Sequence, residues 1–118
     1  MIDGSLYRQD NQQLLLPHVM RTTNAWERMR GLLGRPPLNP DQGLLIIPCS
    51  SVHTIGMKYP IDLIFLNKDW QIQKIFRAVK PWRIAWANGA AMVVETMVGT
   101  VDNLGLEPGM VLNWKENL

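Results

Sequence analysis

Cys49, His53 and Met57 follow one another at four-residue intervals, as Cys-x3-His-x3-Met. A thiol, an imidazole and a thioether are the soft donors that suit copper. Cys49 and His53, with Asp62 further along, are also the side-chain types of a nucleophile, its base and a carboxyl that orients the base. Geometry weighs against both readings. Residues four apart on a strand face the same way but stand about 13 Å apart, so one ion cannot touch all three and a base cannot reach the thiol. A helix would bring them within about 6 Å, but Val52, Thr54, Ile55 and Gly56 disfavour one. An irregular loop joined by His18 would be the remaining route to a metal. No glycine-rich elbow near Cys49 offers an oxyanion hole. The plain alternative is a buried thiol, an ordinary histidine and a core methionine. No metal ligands are therefore assigned, and Cys49, His53 and Asp62 stand only as the catalytic candidates of an enzyme reading.

Asp62 is the most unusual single residue. It shares a strand face with Ile64 and Leu66, where a carboxyl group needs partners. It is either an acid, base or ligand contact, or an acceptor of backbone N–H bonds at the strand entrance after Pro60. Glu95, between Val94 and Thr96, invites the same two readings, with Arg83 as a conceivable opposite charge.

Between Asp69 and Glu95 stand Lys74, Arg77, Lys80 and Arg83, with no acid among them and with Phe76, Trp82 and Trp86 interleaved. Bases alternating with aromatic platforms hold single-stranded nucleic acids or other anionic and stacking ligands. The same residues also suit the solvated face of a hairpin and core-filling tryptophans. His53, Asp62, Trp82, Arg83 and Glu95 are the ligand-binding candidates.

These residues need elements to position them. Gln12 to Met20 reads as a strand interrupted by Pro17. Asn24 to Leu33 reads as a helix, with Asn24 as its cap, Glu27 three residues on, and Ala25, Met29, Leu32 and Leu33 as an apolar face beside Trp26. Gly31 or Gly34 ends it, and Arg35-Pro36-Pro37 forbids continuation. Leu44 to Ile47 reads as a buried strand and Ser51 to Met57 as a strand or bulged segment. Ile61 to Leu66 and Gln71 to Val79 form a β-hairpin around Asn67-Lys68-Asp69-Trp70. Met92 to Val98 and Met110 to Trp114 read as strands, Val101 to Leu104 as a single helical turn, and the residues past Trp114 as a loose tail. The pattern predicts a mainly β (α+β) domain over residues 1–118, with its core at about 12–114. Its form is a compact β-sandwich or barrel-like sheet of about six or seven short strands with one early helix.

The 118 residues, 47% of them hydrophobic and 19% charged, fit one globular domain. One cysteine allows no internal disulfide. Neither a signal peptide nor a membrane span is legible, since Asn88 and Gly89 break the longest apolar patch, Ile84 to Val94. The expectation is a cytoplasmic, soluble protein. A net charge of +2 gives little support to a nucleic-acid partner. P-loop, dinucleotide, zinc-finger and HExxH patterns are absent.

Several stretches together resemble the domain of unknown function 192 family of small prokaryotic proteins. They are Thr22-Thr23 through Glu27-Arg28, Gly31-Leu32-Leu33-Gly34-Arg35, Gly43-Leu44-Leu45-Ile46, and, most specifically, His53-Thr54-Ile55-Gly56-Met57 running into Pro60-Ile61-Asp62-Leu63-Ile64-Phe65-Leu66. Lys80-Pro81-Trp82-Arg83, Val94-Glu95 and Gly105-Leu106-Glu107-Pro108-Gly109 extend the likeness to residues 20 to 114. Met110 and Ile55 depart from it, standing where an aspartate and an aromatic are common. The resemblance implies a compact β-rich fold with one helix, and no established activity, catalytic residue or cofactor. The function expected is thus a small non-enzymatic binding or accessory module. A concave basic-aromatic β face would hold an anionic or stacking ligand or a partner protein. A small hydrolase or metal-assisted enzyme using Cys49, His53 and Asp62 is the alternative.

Overall fold

The computed structural model describes every residue, Met1–Leu118. Nine strands and two short helices succeed one another: β1 (Ile2–Arg8), β2 (Leu14–Arg21), α1 (Ala25–Arg30), β3 (Gln42–Ile46), β4 (Ser51–His53), β5 (Ile61–Leu66), β6 (Ile72–Val79), β7 (Ile84–Trp86), β8 (Met92–Met97), α2 (Thr100–Leu104) and β9 (Leu112–Glu116). Seven strands make one sheet in the order β6-β5-β8-β3-β2-β1-β9, and β4 pairs with β7 in a small second sheet. The β2–β3 pair is parallel and the other pairs are antiparallel. The large sheet curls until its outer strands approach each other. There Gln71 bridges Val111, and Ile72 N–H donates to Met110 C=O at 2.8 Å. Leu112 N–H also donates to Trp70 C=O at 2.9 Å and Gly109 N–H to Ile72 C=O at 2.7 Å, but β6 and β9 form no ladder, so the barrel-like sheet stays open. The mainly β architecture is the one the sequence predicts.

The curled sheet is apolar on both faces. Ile64 and Leu66 of β5 and Val94 of β8 point inward with Leu16, Leu45 and Leu112. Ile61, Leu63 and Phe65 of β5 and Val93 of β8 point outward, under a layer formed by the β4–β7 sheet and the exit of α1. Burial on both sides explains why β5 is hydrophobic at every position but Asp62.

Local signals behave as the sequence predicts. Asn24 caps α1, its Oδ1 accepting Glu27 N–H at 2.9 Å. Asn67 holds the β5–β6 turn by accepting the N–H groups of Asp69 and Gln71. Other expectations need correction. Helix α1 ends at Arg30, and Leu32 and Leu33 lie in the turn beyond it. Its Trp26 and Met29 are 69% and 71% exposed, so of the predicted apolar face only Leu32, beyond the helix end, enters the core. Strand β1 went unread because Asp3, Gly4 and Ser5 hide its alternation. Gly4 leaves room for the Trp114 indole, which crosses over it to donate to Val19 C=O at 2.9 Å. The end of the chain is fastened rather than loose: β9 runs to Glu116, and Asn117 accepts from Ser5 Oγ at 2.7 Å and donates to Pro17 C=O at 3.2 Å. The segment expected as a strand from Ser51 to Met57 is extended only to His53, then turns through Gly56. The patch from Ile84 to Val94 splits into β7 and β8 around Asn88-Gly89. No helix is long and apolar enough to cross a membrane.

Asp62 lies on the inward face of β5, 1% exposed. Its Oδ1 accepts Ala78 N–H at 2.9 Å, and its Oδ2 accepts Gly99 and Val101 N–H at 3.1 Å each. The first bond requires the bulge in β6, where the register shifts between Ile61 and Leu63 and Ala78 takes a left-handed φ of 51°. The other two seat α2 against the inward face. Of the two readings of Asp62, its surroundings match the acceptor of backbone N–H bonds.

Replacing Asp62 by Ala strands three N–H groups in the interior, each costing about 1–3 kcal/mol. We expect a loss of about 3 kcal/mol or more in denaturant unfolding. Asp62→Asn, which keeps one acceptor oxygen, loses less.

Candidate functional site

Where α1 passes the small sheet it leaves a cavity of about 360 Å³. Arg28, Met29 and Arg30 of α1 form one wall, and Ser51, Val52 and His53 of β4 the other. Cys49 and Met57 line it from either side of β4, and Glu95 and Ile46 lie at the sheet below. Cys49, His53 and Met57 thus share one cavity, against the expectation from extended spacing. Strand β4 is only three residues long, and the turn at Ile55-Gly56 brings Met57 back.

Thr54 fixes that turn. Its hydroxyl donates to Lys80 C=O at 2.7 Å and accepts Arg83 N–H at 2.8 Å, while its own N–H donates to Arg83 C=O at 2.8 Å. The loop before β7 is bound to the end of β4 through this one side chain.

Glu95 is the chemical centre of the cavity. It is 3% exposed on β8, on the outward face of the sheet, and its Oε1 has no hydrogen-bond partner. Burial pushes its carboxyl up to about 7, opposed in part by the Leu32 backbone amide. No ion pair joins it to Arg83, which corrects the pairing the sequence suggested. Arg83 binds Trp82 C=O at 3.3 Å instead. Gly31 makes the close approach of α1 possible. Its φ is 52°, and a Cβ there would stand 3.1 Å from Glu95 Oε1.

Cys49 is a half-buried thiol whose surroundings favour its neutral form. Burial, and to a lesser extent the nearby Glu95, push it up, and its Sγ donates to Ser51 C=O at 3.1 Å rather than meeting His53. Such a group is a weak nucleophile. Asp62 cannot orient His53, because it faces the opposite side of the sheet with its oxygens engaged by backbone. Nowhere do three or more histidine, cysteine, aspartate or glutamate side chains converge as metal ligands.

The basic-aromatic stretch divides among several places. Phe76 stacks edge-on against Phe65 at 5.8 Å, with Lys74 over its ring at 4.8 Å. Arg77 pairs with Asp102 at 2.9 Å. Trp82 and Trp86 are exposed, not core. Of the ligand-binding candidates, His53 and Glu95 line the cavity, and Asp62, Trp82 and Arg83 do not. Arg28, Met29, Arg30 and Gly31 were missed as site residues. Their signal was a helix too polar to face a core: three of its six residues are Glu27, Arg28 and Arg30.

The sequence model of the DUF192 family, described as uncharacterized ACR, matches residues 7–114. A UPF0127 protein of Thermococcus sibiricus is 33% identical over 96 residues, which are 76% of this chain and 61% of that protein. The chain therefore spans about three-fifths of that relative's length. A Sinorhizobium meliloti 1021 structure, described as a "putative transcription regulator", is similar at 25% identity and a TM-score of 0.80, over 96% of this chain and 92% of its own. A protein of unknown function from Novosphingobium aromaticivorans matches at 22% identity and a TM-score of 0.76, over 95% of this chain and 84% of its own, and shares the fold.

The raised Glu95 carboxyl makes stability depend on pH. Unfolded, the group ionises near 4.5; folded, near 7. Below 4.5 both states hold the proton. Between the two values only the folded state holds it, so stability falls as pH rises, and above 7 the loss is complete. Subtracting the profile of Glu95→Gln should isolate a fall of about 3 kcal/mol across this window. Gly31→Ala, which strains the backbone and crowds Oε1, should cost about 1–2 kcal/mol in the same assay.

Proposed function

The chain belongs to the DUF192 family, whose description names no activity, and from its own geometry we propose that it is a non-enzymatic binding module holding its ligand in the cavity above Glu95. One observation carries the reading: a carboxyl oxygen buried in a cavity wall with no partner of its own. Such an oxygen costs free energy in the empty protein and regains it when a donor arrives. The volume lies at the low end of the range for small-ligand sites, and the walls mix apolar and polar groups as such sites do.

The electrostatics narrow the ligand. Arg28 and Arg30 line the same cavity as Glu95. Two guanidinium groups disfavour a cation, and a neutral donor satisfies Oε1 without opposing them. His53, exposed on β4, supplies a further polar contact at the mouth. The Cys49 thiol, pushed up by burial, and the distant Asp62 favour binding over the nucleophilic alternative. A reducing, cytoplasmic setting suits a lone free thiol.

The test is a thermal-shift screen of neutral amides, alcohols, nucleosides, sugars and short peptides at pH 6 and 8. A ligand at about 100 times its Kd stabilises by about 2.7 kcal/mol, a shift of roughly 8 °C. Hits should disappear in Glu95→Leu and in Met29→Asp. A hit indifferent to both substitutions would place binding elsewhere and overturn the reading.

A further inference from the structure

The wall formed by β4 is a strand edge that no other strand pairs, its Ser51 C=O accepting only the Cys49 thiol at 3.1 Å. Antiparallel pairs alternate between residues that exchange hydrogen bonds and residues that do not. Ala87 N–H donates to Ser50 C=O at 3.1 Å and Thr54 N–H donates to Arg83 C=O at 2.8 Å. Ser50 and Thr54 are therefore bonding positions, and so is Val52, opposite Ala85. Ser51 and His53 are the alternate positions, and their backbone N–H and C=O groups point away from β7. The cavity is lined by Ser51, Val52 and His53 in succession. A surface that touches three consecutive strand residues looks at the strand's edge, since either face alone would present every second one.

The edge, the cavity and the charges around it fit one kind of occupant. An extended chain beside β4 would lie about 4.8 Å from it and turn alternate side chains toward the sheet below. One such side chain reaches the apolar wall of Met29 and Met57 and the unpartnered oxygen of Glu95. The residues flanking it pass Arg28 and Arg30. Arg30 donates to Leu33 C=O at 3.1 Å, and no salt bridge engages either guanidinium. These two cations favour acids on the incoming chain.

Resting on the cavity as the binding site, we propose that the free edge of β4 captures an extended acidic segment of a partner protein by strand addition. One side chain of that segment, with an apolar body and a neutral hydrogen-bond donor, enters the cavity and meets Glu95. Main-chain hydrogen bonds supply the affinity and the cavity supplies the choice of residue.

The probe is a set of fluorescent pentapeptides of the pattern acetyl-Asp-Val-X-Val-Asp-amide, with tyrosine, tryptophan, glutamine or leucine at X, read by anisotropy at low salt. Tyrosine, tryptophan or glutamine should bind and leucine should bind more weakly. N-methylation at one alternate set of peptide nitrogens should abolish binding, and at the other set should leave it unchanged. Ser51→Pro removes an edge N–H that β7 does not use, so it should weaken binding at least about tenfold with the melting temperature nearly kept. Arg28→Glu should weaken the acidic peptide and spare a version with lysine in place of aspartate. If Ser51→Pro fails to fold, the N-methylated peptides decide alone. Binding indifferent to the position of N-methylation overturns the proposal, as does no binding by any peptide at about 1 mM. If small neutral ligands still bind in a Glu95-dependent way, strand addition alone has failed. If they too are indifferent to Glu95, the cavity reading falls with it.

Discussion

Three backbone N–H groups, from two distant places in the chain, meet at one carboxyl group. Asp62 accepts from the bulge of β6 through Ala78 and from the start of α2 through Gly99 and Val101. An edge strand, a central strand and a helix are tied by a side chain that water cannot reach. The bulge, the left-handed Ala78 and the seating of α2 are consequences of satisfying that group, because a carboxyl group without partners could not stay inside. The neighbouring position shows the opposite outcome. Leu63, next to Asp62, pairs across the ladder with Glu95. Adjacent rungs thus carry acids on opposite faces of one sheet, one saturated by backbone and the other left with a vacant oxygen. The saturated acid holds the fold together, and the unsaturated one marks the candidate site.

Legibility in the sequence followed the range of the interaction. The cap at Asn24 and the Asx turn at Asn67 are made within four residues, and both were readable. The β5–β6 hairpin follows from the turn at Asn67. Strand β1 was not readable, because Gly4 serves Trp114, more than a hundred positions away. Helix α1 was misjudged for a related reason. Its periodicity suggested burial, yet Trp26 and Met29 stay exposed, Met29 in the wall of the cavity. Cys49, His53, Met57 and Glu95 were each singled out by type. That they line one cavity depends on the brevity of β4 and on a glycine letting α1 close over β8, neither of which spacing alone reveals.

Two of the stretches that resemble the family are halves of one hydrogen-bonded structure. The hydroxyl of Thr54, in the stretch beginning at His53, bonds Lys80 C=O and Arg83 N–H, at the two ends of Lys80-Pro81-Trp82-Arg83. Thr54 is fully buried, and its amide and carbonyl also bond Arg83 and Trp82. The pairing of β4 with β7 begins at this knot. The distance between the β4 edge and α1, and hence the width of the cavity, depends on where the knot holds the strand.

The position of β8 in the sheet has a consequence for how the molecule assembles. Strands β1 and β2 form one hairpin and β5 and β6 another, each closed by a short connection. No hydrogen bond of the large sheet joins β3 directly to β5, for β8 lies between them. Apart from the bridge where Gln71 meets Val111, the two halves are joined by a strand late in the sequence that enters the gap, bonding β3 on one side and β5 on the other. That insertion closes non-local loops on both of its sides, as the pairing of β1 with β9 does at the other end of the sheet, and such closures slow a high-contact-order fold. The same strand carries Glu95, so the carboxyl at the base of the cavity is buried in the step that joins the sheet.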